Sequence, residues 1–288
     1  MTRRAQPLRR ASYWALCMSP LLIAPVVGAR GMRIDGIYQV AGVLLFATVA
    51  LSAWRLSRPP TSEVHVSDPR LRLAGILLLV PFALIALLWV GLGTPWDATP
   101  PENKMRYAVL LTGAVAITVA TFFLKELLCE TGERLYSTLG LAASVLSGSA
   151  FVVWTSFQMG FHAMVVAQGQ ALPAVAAVND ALDALLFAAG CLAYIMTAAL
   201  AYSLGKARWL GLKASLGYVL LNILALAFLL LRGVSFPAPS ASPAPWYTRP
   251  GFVVGIPAMP WVMPFLLGAV LLRRSGDYQE QRKVQAPG

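Results

Sequence analysis

Apolar runs long enough to cross a bilayer take up most of this chain, and they restrict its fold more than any motif does. A helix rises 1.5 Å per residue, so about 20 residues cover roughly 30 Å of hydrocarbon, and a spanning segment must close its backbone hydrogen bonds internally. Seven runs reach that length: 36–54, 73–93, 107–124, 135–161, 181–204, 212–231 and 251–272. An eighth, 11–29, is interrupted by Pro20 and Pro25, and Val27-Gly28-Ala29 behind a basic leader has the form of a signal-peptidase site. It is long for a signal h-region and is followed by Arg30 and Arg33, so a retained span is expected. The fold class implied is all-α: a polytopic transmembrane helical bundle of about eight spans, or seven if the first is a cleaved signal. With 58% of residues hydrophobic and 12% charged, the chain carries about half the charge of an ordinary soluble domain.

Charge sets the expected orientation. The chain holds 23 Lys and Arg against 12 Asp and Glu, a net +11 that in a soluble protein would suggest nucleic acid. Here the basic residues cluster at the ends of apolar runs. With eight spans, seventeen of them fall on one side, including Arg3, Arg4, Arg9, Arg10, Arg55 and Arg58. Only Arg30, Arg33, Lys104, Arg106, Arg232 and Arg249 fall on the other. The positive-inside rule puts the first set, and both termini, in the cytoplasm. Anionic lipid head groups at that face are the expected partner, with no nucleic acid and no identified protein partner or oligomer.

The domain reading is a basic N-terminal segment 1–10, one transmembrane domain 11–272, and a polar tail 273–288 whose part from Ser275 on is expected to be disordered. The loop 55–72 contains Pro59-Pro60 and Pro69; 236–250 is rich in Pro, Ala and Ser and ends in Trp246-Tyr247-Thr248-Arg249, an outer interfacial anchor. No internal repeat is evident, which weakens an inverted-repeat transporter.

The polar inventory excludes several cofactors, and no cofactor or metal is expected. Cys17, Cys129 and Cys191 lack ligand spacing and read as packing residues. His65 and His162 do not supply a buried bis-histidine haem site, and no lysine lies deep inside a late run to form a retinal Schiff base. Ser147-Gly148-Ser149 has only His162 as a nearby base, about 20 Å along the same helix.

One cluster near the expected outer face remains. Gln158 and His162 are four apart on one helix face; Asn179, Asp180 and Asp183 follow across an uncharged connection, the two acids being three apart. Helix capping is the simpler account of Asn179, Asp180 and Asp183, since that order matches an N-terminus. The sharper account is a proton, cation or amine site in which His162 titrates against a carboxylate. Met159, Met164, Met259 and Met263 around His162 are read as core rather than soft-metal ligands. Pro257, Pro260 and Pro264 mean that 255–264 cannot be an ideal helix throughout. It is read either as a late helix start or as a broken helix whose Pro257, Pro260 and Trp261 line a cavity with Asn222. Asn222 alone reads as an interhelical hydrogen bond.

From Asp183 to Arg232, two helices flank Leu204-Gly205-Lys206-Ala207-Arg208-Trp209-Leu210-Gly211, an arrangement that resembles a paired-helix unit of bacterial multi-pass membrane families without known function. The resemblance implies a bacterial inner membrane and carries no catalytic residue. A non-catalytic component (sensor, assembly factor or accessory subunit) is the leading expectation because few polar residues lie inside the runs. Small-solute or proton-coupled transport through the acidic/His cluster comes second. An enzyme acting on lipid or isoprenoid substrates comes third, lacking the usual acid, base and phosphate-binding groups.

Overall fold

A computed structural model describes residues 5–28, 37–58, 68–92, 98–168, 173–234 and 251–285. Among them the chain is entirely helical: α1 (Ala5–Gly28), α2 (Ile37–Ser57), α3 (Pro69–Leu92), α4 (Pro100–Glu130), α5 (Leu135–Gln168), α6 (Pro173–Lys206), α7 (Leu212–Arg232) and α8 (Val262–Gln285). Six of these, α2 to α7, are long and apolar enough to cross a membrane.

Several helix ends carry readable start signals. Proline opens α3, α4 and α6, where its missing N–H is no loss. At the head of α4, the backbone amide and hydroxyl of Thr99 both donate to the Glu102 carboxylate, at 2.7 and 2.8 Å. Pro264 falls in the first turn of α8, which therefore starts late, after a strap over 251–261 that includes two 3-10 turns. This is the late start that the prolines suggested. The tail departs from expectation: α8 continues to Gln285, because Gln, Glu, Arg and Lys of 279–283 are good helix formers.

Contacts run mainly between neighbours in sequence, α3 to α4 to α5 to α6 to α7, and α8 packs back on α3 and α2. The core is made of leucine, alanine and a few aromatics, with Phe151, Phe265, Leu124 and Leu200 at its centre. Small residues let the helices approach closely. A Cβ on Gly268 would lie 2.7 Å from the Gly75 carbonyl, so the α3 and α8 backbones touch. The Ser147 hydroxyl donates to Ala189 O at 2.8 Å, joining α5 to α6, and Ser215 does the same to Ala201 O from α7. Thr121 and Ser144 join α4 to α5 at 2.9 Å. The Ser147-Gly148-Ser149 run thus serves helix packing, with Gly148 set against Thr118.

Polar ties gather most of the basic helix ends on one side of the bundle, here called the basic end. Arg9 donates to Leu56 O and Arg273 O; Arg70 pairs with Glu130 at 2.8 Å; Arg274 donates to Arg208 O and lies over Trp209. Glu133 ties α5 to α6 there. Its carboxylate accepts from the Ser203 hydroxyl at the end of α6 and from the backbone amides of Tyr136 and Ser137 in the first turn of α5. Partial burial pushes its pKa upward, but these hydrogen bonds together outweigh that effect and hold the carboxyl below its ordinary range. A depressed carboxylate stabilises the fold above its unfolded pKa of about 4.3, and this contribution is lost as pH falls through the folded value. Thermal unfolding in detergent should therefore show Glu133→Gln destabilised by about 1 kcal/mol at neutral pH, with the gap to wild type closing below about pH 4. A gap independent of pH would mean that the Glu133 charge is not what ties α5 to α6.

Candidate functional site

The end opposite the basic one carries the densest set of ionisable groups inside the bundle. Arg106, in the second turn of α4, is 3% exposed, with Glu102 one turn earlier acting on it electrostatically. Its guanidinium lies 5.8 Å from the ring centre of Trp89 on α3. Its neighbour Tyr107 meets Trp154 of α5 edge to face at 5.4 Å, and Trp154 in turn contacts Phe151. Phe151 reaches Trp261 at 5.4 Å, so an aromatic chain joins α4 and α5 to the strap. The indole N–H groups of Trp89 and Trp154 are buried and find no acceptor among the described residues.

Asp183 on α6 and Arg232 at the end of α7 complete the cluster. The Asp183 carboxylate is close enough to act on both Tyr107 and Arg232. Arg232 is held against the strap: a Cβ on Gly255 would lie 2.5 Å from its guanidinium. The strap is also tied to α6 by the Tyr194 hydroxyl, which donates to Val254 O at 2.8 Å. Beneath it Phe151, Leu186, Gly190, Arg232, Pro257 and Pro260 border a cavity of about 10 Å³, the room of one water.

The expected site residues fare unequally. Asp183 is half-buried, and Gln158, also half-buried, lies four residues after Trp154 and so on its face of α5. His162, Asn179 and Asp180 occupy helical positions, but their side chains lie outside the described residues, and so does any pairing of His162 with the acids. Capping fails as the account of Asn179, Asp180 and Asp183, because α6 begins at Pro173 and has no acid in its first turn. Asp183 is ten residues further on, about 15 Å along the helix.

Pro257 and Pro260 do border the cavity, while Trp261 is buried against Phe151 and Gly113. Asn222 does not join them. It is 1% exposed and ten residues before Arg232, and its Nδ2 donates to Tyr218 O of its own helix at 2.8 Å, not across to another. Its Oδ1 has no partner among the described residues.

Arg106 and Arg232 are the residues that sequence reasoning undervalued, having counted them only as flanking charge. The available signal for Arg106 was Glu102, one helical turn before it. Among the described residues, no group of three or more His, Cys, Asp or Glu could hold a metal ion. No family profile, curated protein or solved structure matches the chain.

Proposed function

We propose that this chain is a multi-pass component of a bacterial inner membrane, with eight spans and both termini in the cytoplasm, acting as a non-catalytic sensor, assembly or accessory subunit. The observation that carries this reading is how the charged cluster is enclosed. Asp183, Arg232, Arg106 and Tyr107 come from three helices and are covered by aromatic rings and a strap of the same chain, beside room for one water. Such a cluster suits a part that holds helices in one arrangement and responds when that arrangement changes.

A second reading, proton- or solute-coupled transport, is favoured by the depth of Asp183. It lies beyond any capping role and inside an apolar segment, where ionisable residues commonly mark a pathway.

Asp183→Asn separates the two. On the first reading it removes the carboxylate charge that acts on Arg232 and costs about 2 kcal/mol, less than a fully buried pair would because Asp183 is half-buried; Arg232→Gln in the same chain recovers most of the loss. Thermal unfolding of the two variants reads this directly. A variant that melts like wild type, accumulates normally and has lost a solute- or proton-dependent phenotype of the gene would put transport first.

A further inference from the structure

We propose that the corner of the basic end formed by α1 and α2 binds the phosphodiester head group of an anionic glycerophospholipid. The inference rests on the membrane-spanning reading of both helices. Arg10 and Trp14 are one turn apart on α1 and share a face, while Arg58, just past the end of α2, folds its guanidinium over Trp54 of that helix. The Arg9 guanidinium donates to Leu56 O, which sets residue 9 level with residue 56 on the antiparallel neighbour. In both couples the tryptophan consequently lies deeper than its arginine. Trp14 is 51% and Trp54 52% exposed, and the Arg58 guanidinium sits 4.4 Å over the Trp54 ring. This layering matches a lipid leaflet, with indoles at the carbonyl level and guanidinium groups at the phosphates.

Charge identifies the occupant. Neither α1 nor α2 contains an acidic residue, and the described side chains of α8 beside them add Arg273 but no acid. Two cations elsewhere at the same end have carboxylates of the chain itself: Arg70 has Asp68 and Glu130, and Lys125 has Glu126. Arg10, Arg55 and Arg58 are exposed, and no described side chain supplies the counter-charge. Two or more arginines with adjacent indoles recognise a phosphate oxygen through charge-assisted hydrogen bonds, which a zwitterionic head group answers less well.

The test uses the full-length protein in neutral detergent, offered phosphatidylglycerol or phosphatidylcholine, with retained lipid counted by native mass spectrometry. Wild type should retain phosphatidylglycerol several-fold over phosphatidylcholine. Arg10→Gln with Arg58→Gln should lose that preference, and Lys213→Gln, a basic-end charge on α7, should keep it. Quenching by brominated phosphatidylglycerol should also fall in Trp14→Phe with Trp54→Phe. An undiminished preference in the arginine double variant, or none in wild type, overturns the proposal. Orientation is read separately. In a cysteine-free background, a cysteine at Ser242 should react with an impermeant maleimide from outside cells and one at Thr131 should not. The reverse labelling overturns the orientation alone and leaves the lipid counts to decide the site.

Discussion

Gly268→Val should cost at least about 3 kcal/mol and sharply reduce accumulation in the membrane. Overpacking in a dense interior usually costs about 1–3 kcal/mol, and the cost is low only when a flexible side chain can yield. Here both obstacles are backbone of α3: the Gly75 carbonyl at 2.7 Å and the Leu79 amide at 3.1 Å from the added Cβ. Neither can move without separating α3 from α8. The reciprocal change is milder, because a Cβ on Gly75 meets first the Leu272 side chain, at 3.0 Å. Unfolding in detergent should therefore rank Gly268→Val above Gly268→Ala, and that above Gly75→Ala. Equal losses at the two glycines would refute the close backbone contact.

Gly251→Ala should release the strap while sparing the rest of the bundle. Gly251 has φ +76°, a region that L residues avoid at about 1–2 kcal/mol, and its Cβ would fall 2.1 Å from the Phe228 carbonyl of α7. Gly233 has the same φ but open space around it, so a substitution there meets the strain without the collision. Hydrogen exchange at the Gly255, Ile256 and Met259 amides, which are bonded within the strap, should accelerate at least tenfold in Gly251→Ala. Exchange in α4 to α6 should not change. Unaltered strap protection would mean that Tyr194 and Arg232 hold it without the α7 contact.

The all-helical class and the location of most of the described helices were legible, because hydrophobic length is a strong and local signal. Helix ends were less so. Asn179 and Asp180 have the composition of an N-terminus, yet α6 begins six residues before Asn179, at Pro173, where proline in the first position was the better sign. The polar tail was read as disordered because it is a polar chain end, although its residue types favour the helix that forms. The candidate site was legible only in part. Asp183 stood out as an acid near a span, but its neighbours Tyr107 and Arg232 lie 76 residues before it and 49 after it. Periodicity within one segment carries no information about such pairings.

The lengths of α5 and α6 bear on the lipid around them. Each has 34 residues, about 51 Å of helix, against roughly 30 Å of hydrocarbon. Even a tilt of about 40°, the upper end of what membrane helices adopt, projects some 39 Å onto the bilayer normal. The surplus is mixed: Ala163, Val165 and Val166 lie between His162 and Gln168 at the end of α5, and the apolar stretch from Ala174 to Val178 opens α6 ahead of Asn179 and Asp180. The apolar part of each, 27 residues of α5 and 26 of α6, is about 40 Å long, about 10 Å more than the hydrocarbon when upright. Tilt of the pair, lipid thickened around it, or another apolar surface has to take up that excess.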